Sequence, residues 1–256
     1  MSKLEALGKL LSADVLIVGG GIAGLSAAIT VKEKKPDLDV LIVEKATTGW
    51  SGKADRGGGI LAFITPADTP EEFIRYHVHN IGCFLEDQEL LREYAHTCNT
   101  VLDRLDAWGV KLNKEKDGRW KYVKNPGANL PWGLAGVDLD MCRRLLKRAR
   151  RLGTRFQDKV TIVDLLKEGE RVVGAVGFSI EDGGCYLVRA KATILANGSQ
   201  NYRVLPMWGA GRGDGIAAAY RAGAAVADME FVQFHPTTFT TGVGEVFLLT
   251  EALRGE

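Results

Sequence analysis

The chain has 256 residues, with 33 Lys and Arg against 32 Asp and Glu, a formal net charge of +1 that excludes bulk electrostatic attraction to nucleic acid or to a membrane surface. Hydrophobic residues at 46% and charged residues at 25% are ordinary globular proportions, which exclude a disordered, collagen-like or miniature disulfide-scaffold chain. The four cysteines, Cys83, Cys98, Cys142 and Cys185, form no CxxC pair and no His/Cys pair at ligand spacing, so free thiols in a reducing cytosol are expected, and no metal.

Residues 1–14 carry Lys3, Glu5 and Lys9 and lack an apolar core of signal-peptide length, so no export is expected. The uncharged run from Val15 through Val31 approaches the length of a membrane span, but Gly19, Gly20 and Gly21 stand in its middle and suit a tight turn better than a helix in lipid. No membrane span is expected. Ala13–Val18 reads as a buried parallel strand stopping at glycine, Ile22–Lys34 as a helix ending before Pro36, and Val40–Val43 as a second buried strand closed by Glu44. Strand, glycine turn, helix and strand make a βαβ unit.

Within that unit, Gly19-x-Gly21-x-x-Gly24 joins strand to helix, and Glu44 follows Gly24 by 20 residues. The first glycine allows the turn, the second lets backbone N–H groups approach a pyrophosphate, and the third lets helix and strand pack closely. The phosphate gains the positive end of the helix dipole. The Glu44 carboxylate can accept ribose hydroxyls and would repel the extra phosphate of an NADP-type ligand. A lone GxGxxG is a weak signal, but strand, helix and acid agree here on a dinucleotide, NAD or FAD.

After a glycine-rich loop, Thr69-Pro70-Glu71-Glu72 reads as a capping box opening a helix. Leu90, Leu91, Tyr94, Cys98, Val101, Leu102, Leu105 and Trp108 recur at helical spacing ahead of Gly109, which predicts a long amphipathic helix. Lys111–Pro131 reads as a surface excursion with a hairpin, and Asp138–Leu152 as another helix. The arginines of that helix are read as a solvated face, since no aromatics interleave them. Val160–Leu166, Val172–Ile180 and Cys185–Arg189 predict an antiparallel meander, Ala192–Ala196 a further buried strand, and Ile216–Ala222 an alanine-rich helix for which Asp214 would serve as N-cap.

These blocks resemble a known family: the FAD-dependent flavoprotein subunits of succinate dehydrogenase and fumarate reductase, with L-aspartate oxidase and the adenylylsulfate reductase α subunit. The resemblance rests on Val15–Leu25 with Glu44-Lys45, on Ser51-Gly52-Lys53-Ala54 with Gly58-Gly59, on Ala192–Gly198, on Gly213-Asp214-Gly215, on Glu230–Thr237 and on Leu249–Glu256. It implies an α/β fold: a Rossmann-like FAD-binding domain over 1–238 with a parallel sheet, a largely helical insertion at 70–152, a β-meander at 160–190, and the start of a capping domain at 239–256. Read this way, the sequence is expected to be the first half of a longer protein, or a fragment.

The resemblance further implies FAD contacts at Gly19, Gly21, Ile22, Ala23, Gly24, Glu44 and Lys45, at Ser51, Ala54, Gly58 and Gly59 along the pyrophosphate and flavin, at Ala196, Asn197 and Gly198 by the adenine half, and at Asp214 on the flavin side. Relatives that attach FAD covalently use a histidine where Gly52 stands, so dissociable, non-covalent FAD is implied. His235 in the His-Pro-Thr block, Thr250, Glu251 and Arg254 match the catalytic and substrate-binding positions of dicarboxylate-handling relatives. A lone histidine is more often structural; that match gives His235 a ligand role. Carboxylates need donors, which a protonated histidine, a hydroxyl and an arginine fork supply. The family's general acid is an arginine beyond Glu256. His77, His79 and His96 match no motif.

Hydride exchange between FAD and a dicarboxylate is the implied reaction, in an oxidoreductase of the fumarate reductase and succinate dehydrogenase type. An adenylylsulfate reductase-like flavoprotein with a sulfonucleotide substrate is one alternative, and a non-catalytic FAD-binding module another. An iron–sulfur electron-transfer subunit is the implied partner, with nucleic acid excluded. The implied location is cytoplasmic, with peripheral attachment to the inner face of the membrane through partner subunits.

Overall fold

The computed structural model describes residues 8–56, 59–124, 130–200, 211–232, 238–243 and 246–248. In chain order the elements are β1 (Lys9–Val18), α1 (Ile22–Lys34), β2 (Val40–Val43), α2 (Lys53–Arg56), β3 (Ile60–Phe63), α3 (Pro70–Asn80), α4 (Gln88–Ala107), β4 (Tyr122–Val123), β5 (Gly133–Gly136), α5 (Met141–Arg151), β6 (Arg155–Gln157), β7 (Val160–Glu168), β8 (Arg171–Ser179), β9 (Cys185–Leu195), α6 (Asp214–Arg221), β10 (Thr238–Thr240) and β11 (Val246–Leu248). They fall into two compact units, residues 1–56 with 140–234, and residues 57–139 with 235–256.

The first unit is built on a six-stranded sheet in the order β6-β2-β1-β9-β8-β7. β6, β2, β1 and β9 are parallel, while β9, β8 and β7 form the antiparallel meander. Val15–Val18 and Val40–Val43 pair in register and are buried on both faces, which is why both read as unbroken apolar runs. Leu16, Val18, Leu41 and Val43 join Val160, Ile162, Ala175 and Val188 in one core. On the opposite face Ile17 lies under Gly24 of α1, and α1 packs on α5.

Two strands differ from their sequence-based outlines. β1 begins at Lys9, because Lys9–Ala13 pair in parallel with Tyr186–Ala190. The last meander strand and the expected strand at Ala192–Ala196 are one continuous strand, β9, which welds meander to parallel sheet. Its Lys191, which broke the apolar pattern, pairs at 2.6 Å with Asp14. Ala192 and Leu195 are exposed rather than buried. Two-residue and Gly-containing turns close the hairpins, with Gly169 at φ +59° and Gly183 at +74°.

In the second unit β3, β5 and β4 make a three-stranded antiparallel sheet, and β10 and β11 a hairpin. The capping box forms as expected: Glu72 N–H donates to Thr69 Oγ1 at 3.2 Å, and Thr69 N–H donates to Glu72 Oε2 at 3.0 Å. Asp87 Oδ1 accepts from the N–H groups of Glu89 and Leu90, both at 3.0 Å, and starts α4. α4 buries Leu91, Ala95, Cys98, Leu102 and Leu105, and Gly109 at φ +89° ends it. Leu90, Tyr94 and Val101, which fit the same period, are exposed. Among the described residues no helix is long and apolar enough to cross a membrane.

Candidate functional site

The site begins where β1 runs out. Gly19 takes φ +110°, and a Cβ there would press into the Ala196 carbonyl. A Cβ on Gly24 would run into the Gly19 carbonyl oxygen, so glycine lets α1 lie directly on the turn. Gly21 is the N-cap of α1, no side chain caps it, and no acid stands in the first turn. The positive end of the helix is therefore left to an anionic group. At Gly21 itself a Cβ would meet only Gly52 Cα, at 3.9 Å.

Glu44, 9% exposed, follows β2 beside this turn. Its Oε2 accepts the Gly20 N–H at 2.7 Å and its Oε1 the Ala46 N–H at 2.8 Å. Ser51 Oγ lies 3.2 Å from the same Oε1 but 2.7 Å from the Thr47 carbonyl, and its single proton suits the shorter contact. A carboxylate offers about four lone-pair directions, so Glu44 keeps capacity for ribose hydroxyls after bonding two amides. The acid thus shapes the turn as well as facing the ligand space.

Sequence reasoning missed the next anchor. Thr48, 2% exposed, donates its hydroxyl to Asp158 Oδ1 at 2.6 Å and its N–H to the same oxygen at 3.1 Å. A Cβ on Gly20 would collide with Thr48, and Gly49 N–H donates to the Gly20 carbonyl at 2.9 Å. Asp158 lies 110 residues from Thr48, so no local pattern could announce the pair.

A cavity of about 540 Å³ opens over these elements, within the usual range for a small-molecule site. Gly19, Gly21, Ile22, Ala23, Glu44, Lys45, Ser51, Ala54, Ala196, Asn197, Gly198 and Asp214 all line it. Val18, Val43, Val160, Ile162 and Leu195 supply apolar walls, a set the sequence motifs did not include for β7. Lys45 pairs with Asp214, and Lys53 Nζ donates to Ser199 Oγ at 2.8 Å. Asp214 is the first residue of α6, and Gly213, in the left-handed region at φ +78°, takes the N-cap place assigned above to Asp214. The Asn197 amide occupies the space that a Cβ on Gly215 would need.

Some expected residues lie elsewhere. Gly24 serves packing and does not line the cavity. Gly59 belongs to the second unit, where its carbonyl accepts the Val137 N–H at 2.6 Å. Gly58, His235, Thr250, Glu251 and Arg254 lie outside the described residues.

The donor set fits an FAD: uncapped helix amides for a pyrophosphate, an acid for ribose, apolar walls for a planar ring. The comparisons agree. The chain is 32% identical to L-aspartate oxidase of Streptomyces coelicolor, over 98% of this chain and 45% of that protein. It is 30% identical to the fumarate reductase flavoprotein subunit of Escherichia coli, over 95% of this chain and 41% of that protein. Quinol fumarate reductase of E. coli superposes with a TM-score of 0.81 at 27% identity, covering 97% of this chain and 43% of that one. Adenylylsulfate reductase of Archaeoglobus fulgidus superposes with a TM-score of 0.70 at 27% identity, covering 84% of this chain and 36% of that one. The chain spans less than half the length of these relatives. A family model described as an FAD binding domain matches residues 14–256. The chain belongs to that FAD binding domain family, and its cofactor is FAD.

Proposed function

We propose that the protein carrying this chain is an oxidoreductase of the fumarate reductase and succinate dehydrogenase type, which holds FAD without a covalent bond and exchanges hydride with a dicarboxylate. The observation that carries this reading is the convergence of the glycine turn, Glu44, the Ser51 loop and Asn197 on one cavity, in a chain whose family match continues through His235, Thr250 and Arg254. Residues 1–238 are read as the FAD-binding domain, and 239–256 as the start of a capping domain.

When bound, FAD supplies the hydride chemistry at a saturated C–C bond beside a carboxylate. The chain's own part is binding and orientation. Amides at the Gly21 end of α1 would hold the pyrophosphate, and Glu44 the adenosine ribose. The loop from Ser51 to Ala54 would border the flavin, with Lys45 and Asp214 at the same cavity. His235, Thr250 and Arg254 would fix the substrate carboxylates through hydrogen bonds from an imidazolium, a hydroxyl and a guanidinium, with Glu251 in the same block. Glycine at position 52 offers no nucleophile for a flavin linkage, which supports dissociable FAD. An iron–sulfur subunit is the partner this reading calls for, with attachment to the inner face of the membrane through partner subunits.

A second reading, a sulfonucleotide reductase, is favoured by the likeness to adenylylsulfate reductase. Anaerobic reduction of the flavin in the full-length protein, followed by mixing with fumarate or with adenylylsulfate, separates the two. Reoxidation by fumarate supports the dicarboxylate reading. Reoxidation by adenylylsulfate alone replaces it with the second. Reoxidation by neither leaves an FAD-binding module without this catalysis.

A further inference from the structure

We propose that Arg143 on α5 is a positioning residue for the flavin-side segment of residues 50–56, the loop that runs into α2, clamping it through Asp55 and Trp50 so that it is preformed for a flavin it does not hold covalently. The proposal rests on the dissociable-FAD reading above. It is carried by contacts of Trp50, Asp55 and Arg143, which lie outside the sequence blocks quoted above.

Arg143 Nη1 donates to Asp55 Oδ1 at 3.0 Å, and the Asp55 side chain is only 8% exposed. A carboxylate so shielded needs a charged partner, or its desolvation goes uncompensated. The guanidinium carbon of Arg143 also lies 4.5 Å from the centroid of the Trp50 ring, a cation–π distance. Its Nε donates to Asp140 Oδ1 at 2.8 Å, which orients the side chain from its own end of the helix. One arginine thus grips both ends of the loop that carries Ser51, Gly52 and Ala54.

The loop is held from beneath as well. A Cβ on Gly49 would meet Leu146 Cδ2 at 3.2 Å and the Cys142 carbonyl at 3.4 Å, so the chain rests directly on α5. On its other side, a Cβ on Gly52 would meet Gly21 Cα at 3.2 Å, against the dinucleotide turn. The loop is therefore a thin layer between helix and cofactor cavity. Burial, with the Asp55 charge second, pushes the neighbouring Cys142 thiol up to about 11, consistent with a poorly solvated setting for the clamp. Arginine suits this role better than lysine, because its planar fork bonds a carboxylate while its face stacks on an indole.

A loop that is in place only part of the time raises the apparent Kd by the inverse of that fraction. Arg143→Gln is therefore expected to weaken FAD binding about tenfold, as for a loop in place roughly a tenth of the time. The bound-flavin visible circular dichroism should shift with it. Arg143→Lys should recover only part of the affinity, because it restores the charge beside Asp55 but not the stacking on Trp50, and Asp55→Asn combined with Arg143→Gln should be no worse than Arg143→Gln alone. Arg148→Gln is the control: it removes another α5 arginine, paired with Glu33, and should leave FAD affinity unchanged. These affinities would be measured by FAD titration of the flavin-stripped full-length protein. An Arg143→Gln Kd within twofold of wild type, or equal weakening by Arg148→Gln, would overturn the clamp while leaving dissociable FAD intact. Flavin that stays with acid-precipitated wild-type polypeptide would overturn the dissociable reading, and the clamp with it.

Discussion

The backbone N–H of Gly20 donates to Glu44 Oε2 at 2.7 Å, tying the middle of the glycine turn to the acid that follows the second strand, 24 residues on. The acid is usually considered for its bond to ribose. Here it also holds the glycine turn itself, so in the proposed reading ligand recognition and local folding would share one side chain.

Glu44→Gln should separate these roles poorly and weaken both. The amide retains one acceptor, but its NH2 group faces an N–H donor, leaving a buried backbone group unsatisfied at about 1–3 kcal/mol. Urea unfolding should show that loss, and FAD titration a weaker Kd.

The glycines of the turn should give opposite signatures on substitution by alanine. Gly24→Ala drives a methyl into the Gly19 carbonyl, an overpacking cost of about 1–3 kcal/mol or more that unfolding will report. Gly21→Ala has room for its Cβ, whose nearest neighbour is 3.9 Å away. Stability should hold while FAD affinity falls, because the methyl would stand in the cavity where the proposed pyrophosphate site lies.

Asp158→Asn should loosen the same turn from a distance. It removes the charged acceptor of the Thr48 hydroxyl and N–H, and loss of hydrogen bonds to a charged group costs about 1.5–3 kcal/mol. A urea midpoint shifted downward without change of slope would register it.

What was legible in the sequence was local. Gly19, Gly21 and Gly24 lie within one turn, Glu44 lies at a fixed offset, and Thr69 with Glu72 closes a box within four residues; each forms as its spacing required. Contacts of long separation were not legible. Thr48 with Asp158, Asp55 with Arg143, and Lys45 with Asp214 each join segments far apart in sequence that only the tertiary fold brings together. The early start of β1 was hidden for the same reason: Lys9 and Ser12 interrupt its apolar pattern, and their strand pairing with β9 overrides it. Leu90, Tyr94 and Val101 show the converse, a helical period that names apolar positions without saying which of two neighbouring stripes is buried.

The buried Cys142 thiol gives a pH prediction. Its pKa rises from 9.0 to about 11, chiefly by burial and secondly through the Asp55 charge. The folded state then holds a proton that the unfolded chain releases above pH 9, so its stabilising effect is complete below pH 9 and is lost as pH rises toward 11. At about 1.4 kcal/mol per unit, the fall is at most on the order of 3 kcal/mol. Cys142→Ala should flatten that alkaline slope in urea titrations. At neutral pH iodoacetamide should label exposed Cys83 first and spare buried Cys142 and Cys98.

Flavin uptake by the full-length protein tests the FAD site most directly. After removal of native flavin, titration should restore one FAD per chain, and acid precipitation should release all of it into the supernatant. A protein that takes up no FAD, or a flavin that remains bonded to the precipitated chain, would contradict a dissociable cofactor seated on the Gly19–Gly24 turn.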